Sequence, residues 1–296
     1  MKRKVIQIAE STQLISIPRK WALRYNIKKG DDIDVEINGS KLIVSTEQDQ
    51  KISKCTLDLS HAESIEKQSI TAAYLKGYDE VEIKYVSSEQ VQLIQQLLSE
   101  LTGYDIVFQT KNSCTIKQIS KPSPEEFSNI MNRVFLLILD TCKNITDGLK
   151  KNEKELLESV MFRDQTINKF SNFCLRLINK GRGVDSEVMT STYFLINSLK
   201  RLGEEYSQLA LKLLEKRQSD KKIVSFLESI NEFYEAVYRA FTAKSLGRCS
   251  EATAQYEKIK KELQDPKMPS SGVYFNLRQI LQIIKEIQEG TLVLLV

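Results

Sequence analysis

The stretch LISIPRKWALRYNIKKGDDIDVEINGSKLIV, residues 14–44, decides how the N-terminal part of this chain is built. With KVIQIA (4–9) ahead of it, the stretch holds four short runs of alternating polarity: 4–9, 13–18, 32–37 and 41–46. Such runs predict half-buried strands. Pro18 closes the second run and is suited to the first turn of a short helix. Gly30 supplies a turn, and Asn38-Gly39 is a strong hairpin signal because both residues tolerate positive φ. The expected product is two β-hairpins joined by one short helix. A unit this small buries too little surface alone, so its apolar faces call for a second copy.

The charge is as uneven as the pattern. Over residues 1–29, Lys2, Arg3, Lys4, Arg19, Lys20, Arg24, Lys28 and Lys29 face only Glu10, a net +7. Over 30–48, Lys41 faces Asp31, Asp32, Asp34, Glu36 and Glu47, a net −4. The whole chain carries only +4, so the basicity is focused at the N-terminus, as an anion-binding surface requires. A solvated charged face is the alternative.

This order of features resembles the SpoVT/AbrB swapped-hairpin DNA-binding domain: a strand ending in Ile-Pro, a short helix, Lys-x-Gly-Asp, then a hairpin. The resemblance covers residues 2–46. It implies a homodimer of interleaved chains on double-stranded DNA, with Lys2, Arg3, Lys4, Arg19, Lys20 and Arg24 as the contacting residues. Ala22 and Leu23 stand where some members carry arginine, so backbone contact is implied more strongly than base reading.

At 296 residues the chain suits two or three domains of roughly 100–200 residues. Its 41% hydrophobic and 28% charged residues are those of an ordinary globular protein. No run approaches the ~20 apolar residues of a membrane span, and MKRKVIQIAE lacks a signal-peptide core. A cytoplasmic protein without membrane insertion is expected. TLVLLV (291–296) reads as a chain end packed on a core or on a dimer partner. The five cysteines are scattered without a CxxC pair, which argues against structural zinc and fits a reducing compartment. His61 is the only histidine. Without a partner for it or a nucleophile motif, the chain is expected not to be an enzyme.

Residues 52–120 read as a small α+β module in the order β-α-β-α-β-β. Strands are expected at 54–59, 79–86, 104–110 and 113–119. Ser60/Glu63 and Ser87/Gln90 are capping boxes for two helices. ITAAYLKGYDEVEI and LLSELTGYDIVF resemble the connector of archaeal AbrB–PhoU chains. Structural spacer, dimerisation module and small-ligand sensor all remain open for it.

SKPSPEEF (120–127) marks the next boundary, and from there the period is 3.6. Phe127, Ile130, Val134, Ile138, Thr141, Ile145 and Leu149 share one helical face. Further helices are expected at about 153–180 (capped by Asn152), 186–217, 221–246, 249–264 and 273–291. Six helices in two runs of three suggest a bundle of two weakly similar halves. SLKRLGEEYSQLA and IIKEIQEGTLVLL share a Lys-x-Ile/Leu-x-Glu frame, and the first resembles the Leu-Glu-Arg-Ile-Gly-Asp signature of PhoU, the phosphate-uptake regulator. FRDQTINKF resembles PhoU's Asp-x-x-Ile-Asp stretch. The resemblance spans about 122–296 and implies two three-helix repeats.

Taken together, the resemblances imply a multidomain α+β chain of archaeal type, divided at 1–48, 52–120 and 122–296. Its function would be a DNA-binding transcriptional regulator of phosphate uptake and homeostasis. An adaptor docking on a phosphate transporter or its sensor kinase is the alternative, and an antitoxin is disfavoured by the large helical part. PhoU proteins hold metal through carboxylates at i and i+4, which suits hard cations or iron clusters. Here Asp164 has Asn168 as its i+4 partner, and Lys200 and Lys285 replace carboxylates. Three readings follow: a reduced divalent-metal or iron site of Asp164, Glu204 and Glu289; an internal ion pair of Asp164 with Lys200, or a surface position; or an anion held by Lys200 and Lys285.

Overall fold

The structure, a computed structural model, describes residues 2–8, 12–38, 41–46, 52–60, 66–120, 126–215, 220–265, 268–269 and 271–296. His61, Glu63, Gly39, Pro122, the Ser123-Pro124-Glu125 signal and Pro266 lie outside them. The chain is mixed α+β and divides into two compact units, Met1–Ile52 and Ser53–Val296.

In the first unit β1 (Val5–Ile8) pairs antiparallel with β2 (Thr12–Ile15), and β3 (Asp34–Asn38) with β4 (Lys41–Ser45). The short α1 (Arg19–Arg24) lies between the hairpins. Pro18 sits one position earlier than expected, at the N-cap, where its extended backbone (ψ 123°) leads into the helix and its carbonyl accepts from Trp21 and Ala22 N–H at 2.9 and 3.0 Å. Gly30 turns the chain at φ +96°, a region that glycine enters without steric cost. Asp31 fastens that turn by accepting the Lys28 N–H at 2.7 Å. Neither hairpin buries an apolar side chain: Val5, Ile8, Val35, Ile37 and Leu42 are all more than half exposed. Isolated two-stranded hairpins are marginal in water.

The second unit starts with a four-stranded sheet ordered β5-β6-β8-β7: β5 (Lys54–Asp58), β6 (Glu80–Lys84), β7 (Tyr104–Gln109) and β8 (Ser113–Gln118). β5 and β6 are parallel, because α2 (Glu66–Lys76) carries the crossover; the other pairs are antiparallel. α3 (Ser88–Leu98) opens on the expected capping box, with Ser87 Oγ accepting from Gln90 N–H and Gln90 Oε1 from Ser87 N–H, both at 3.3 Å. Alternate strand residues Val81, Ile83, Cys114 and Ile116 meet Ile70, Tyr74, Ile94 and Leu97 of the two helices in one small core.

Six long helices follow: α4 (Glu126–Lys151), α5 (Lys154–Asn179), α6 (Met189–Glu215), α7 (Lys221–Ala243), α8 (Leu246–Leu263) and α9 (Gly272–Leu295). α4, α5 and α6 pack on one another, as do α7, α8 and α9; α6 lies against α9 and α4 against α7. The large core runs through all six. Asn152 does not cap α5. It adopts the left-handed conformation (φ +57°) that ends α4, and Glu153 N–H returns to Gly148 O at 2.9 Å. Asparagine tolerates that region through its short polar side chain, and Glu153 becomes the N-cap, without a side-chain bond. No helix among the described residues is long and apolar enough to cross a membrane.

One buried side chain joins sheet layer and helices. Arg176 of α5, about 1% exposed, donates from Nη1 to Tyr74 O and to Tyr104 OH. Its Nη2 donates to Tyr78 O at 2.6 Å and Gln118 Oε1 at 2.8 Å. The guanidinium carbon lies 4.7 and 5.0 Å from the ring centroids of Tyr74 and Tyr104. Asn179 donates to Leu75 O at 2.7 Å, and Lys180 pairs with Asp79 Oδ1. Burial alone would push the Asp79 carboxyl up, but hydrogen bonds from Lys180 and Ser53 outweigh it and hold it below its ordinary range.

Arg176→Met should therefore cost about 2–4 kcal/mol in urea unfolding, because it orphans buried carbonyls and not merely one contact. Arg176→Lys should recover little of this, since an ammonium lacks the planar fork that reaches four acceptors at once.

Candidate functional site

Two places carry concentrated polar chemistry, one in each unit. In the first, Lys2, Arg3 and Lys4 precede β1, and Arg19, Lys20 and Arg24 occupy α1; all six are exposed. None of them forms an ion pair among the described residues, and Arg24 alone has a ring contact, its guanidinium 5.7 Å from the Tyr25 centroid. Exposure matters for function. Cations already in water and without internal partners meet an anionic surface without first breaking protein contacts.

The second place is the seam between α5 and α6. Asp164, Asn168 and Ser171 follow at i, i+4 and i+7 along α5, so they share one helical face. Asp164 Oδ1, Asn168 Oδ1 and Ser171 Oγ are all buried, and none has a hydrogen-bond partner among the described residues. Opposite, α6 presents Lys200, Gly203 and Glu204 at i, i+3 and i+4. Gly203 lets the helices close in: a Cβ there would stand 3.1 Å from Ile167 Cγ2 and 3.3 Å from Asp164 Oδ1.

The expected ion pair of Asp164 with Lys200 is not what forms. The Lys200 ammonium donates instead to Asn172 Oδ1 at 3.1 Å. Asn172 is buried one turn beyond Asn168, so Lys200 satisfies a buried amide first and reaches Asp164 only as a field. The Asp164 carboxyl is pushed up to about 6: burial is the main cause and the Glu204 charge adds to it. Lys200 opposes the rise, Glu100 adds to it, and Lys67 offsets it again. Lys67 of α2 and Glu100, just past α3, form their own pair at 3.3 Å.

Of the three predicted metal ligands, Asp164 and Glu204 come together across the seam. Glu289 does not join them: on α9 it is exposed and pairs with Lys285 at 3.7 Å. Among the described residues, no three His, Cys, Asp or Glu side chains are grouped to hold a metal ion. Ser171, Asn172 and Gly203 were not singled out from the sequence. The signal present was a pair of polar residues inside FSNFCLRLIN, a run otherwise too apolar for a surface.

A carboxyl raised above its unfolded value contributes stability that is fully present below about pH 4, where both states are protonated. That contribution is lost as pH rises through the folded value near 6. Asp164→Asn should thus be more stable than the parent at pH 7.5, by about 1 kcal/mol once solvent screening of the partly exposed group is allowed for. The difference should vanish in urea melts near pH 4.

No protein-family model matches the chain, and neither does any curated protein or solved structure.

Proposed function

We propose that this protein is a dimeric DNA-binding transcriptional regulator whose N-terminal unit binds the duplex, while its six-helix part senses or relays phosphate status. A single observation carries the first half: the N-terminal unit displays six exposed cations that form no ion pair among the described residues, on a fold whose apolar strand residues are largely exposed. Two such units, each completing the other's core, would double the cationic surface across one two-fold axis. A two-fold surface of that kind suits paired half-sites on DNA.

The second half of the reading is supported by the PhoU-like stretches SLKRLGEEYSQLA and FRDQTINKF and by the packing of the helices in two threes. The buried polar seam between α5 and α6 is where such a part would register its signal. A fold likeness alone does not fix function, so the DNA reading is the one to be tested first.

Titration of duplex DNA at several salt concentrations provides that test. Affinity should fall with a log–log slope of about −0.9 for each phosphate contact. Arg19→Ala with Lys20→Ala removes four cations from the dimer and should flatten the slope by up to about 4 while sedimentation still reports a dimer. An intact dimer that ignores DNA, or binds it without salt dependence, would leave the adaptor reading in its place.

A further inference from the structure

The resemblance to PhoU implies a metal on the α5–α6 seam, and with Lys200 in place the side chains there do not fit one. A hard cation takes six or more oxygen ligands, with carboxylates supplying most of the charge. The seam offers two carboxylates, Asp164 and Glu204, one hydroxyl and two amide oxygens, of which the one on Asn172 already accepts from Lys200. Asn168 stands where the second carboxylate of the i,i+4 pair belongs, and the third predicted ligand, Glu289, is engaged on another helix. An ammonium, Lys200, is also present on the face that would have to receive the ion.

The acceptor row nevertheless calls for positive charge. Three buried oxygens without donors, one of them on a carboxyl group, are costly to leave unanswered. Among the neighbouring cations, Lys67 is already paired with Glu100. Lys200 is in no ion pair among the described residues, and its hydrogen bond to Asn172 leaves two of the three ammonium N–H groups. Asn172 continues the same row one turn past Asn168.

We propose that Lys200 keeps a divalent metal ion out of the α5–α6 seam: anchored on Asn172 Oδ1, its ammonium sets a like charge beside Asp164 and Glu204, the two carboxylates that an ion would need. The lysine is thus the residue that sets what the seam accepts. The inference stands independently of DNA binding, since it concerns only the second unit.

Manganese(II) titration of the full chain, followed by electron paramagnetic resonance, tests it. The parent and Lys200→Arg should bind no manganese where Lys200→Met binds about one ion per chain, a gain of at least tenfold on removing a like charge beside carboxylates. Asp164→Asn added to Lys200→Met should abolish the gain, and Asn168→Asp added to it should strengthen binding further. Lys200→Gln, which keeps a donor for Asn172, replaces the Met variant if circular dichroism shows the latter unfolded. The proposal is overturned if the parent binds manganese as tightly as the lysine variants, or if folded Lys200→Met and Lys200→Gln bind no better than the parent.

Discussion

The second unit depends on one guanidinium. A buried arginine is costly unless its donors are answered, and Arg176 is answered almost wholly by backbone carbonyls and neutral side chains. Tyr74 O belongs to α2, Tyr78 O to the turn after it, and Gln118 Oε1 to the end of β8. The nearest carboxylate oxygen, Asp79 Oδ1, stands off at 3.7 Å. Because the fork is planar, it accepts only one relative placement of helix, turn and strand. Tyr74 and Tyr104, edge to face at 5.0 Å, shield the charge with their ring faces. Hydrophobic contact could hold sheet layer and bundle together, but it is non-directional and would not fix their register.

Asp79 extends that constraint toward the chain's entry into the unit. Its Oδ2 accepts from both Ser53 N–H and Ser53 Oγ at 3.0 Å, while its Oδ1 is held by Lys180. Ser53 is the first residue of the second unit, so the start of β5 and the end of α5 share one carboxylate. Substituting either partner therefore acts on both, and additivity is not expected among Arg176, Lys180, Asp79 and Ser53.

What the sequence made legible follows from which forces are local. The hairpin alternations, the Ser87/Gln90 box and the 3.6 period of α4 each depend on neighbours within a few residues, and those elements are where the pattern places them. Arg176 was not legible. In FCLRLIN it reads as one charge on a helix, and its partners lie 58 to 102 residues earlier in the chain. Asn152 failed for a different reason: asparagine serves equally as an N-cap and in the left-handed turn that ends a helix. Spacing alone does not separate the two uses. For the seam, the Lys-x-Leu-x-Glu frame drew attention to Lys200 and Glu204, which lie one turn apart on α6. It also suggested Glu289 by internal similarity, and similarity between halves places residues in equivalent positions rather than in one site.

The clamp and the seam lie on the same helix, and that explains why the acceptor row stays unanswered. α5 is pinned at its C-terminal end by Arg176, Asn179 and Lys180, so it cannot slide or rotate to bring Asp164 toward solvent without breaking those bonds. On the other side Gly203 admits the α6 backbone so closely that a Cβ would crowd Ile167 and Asp164. A helix held at one end and closely packed along its length keeps its polar stripe in place even where that stripe is unfavourable. Strain of this kind persists only when the surrounding structure over-determines it, and here two independent contacts do so. The polar row is therefore rigidly presented, and what occupies it is decided by side chains that can still move, of which the Lys200 stem is the longest on the facing helix.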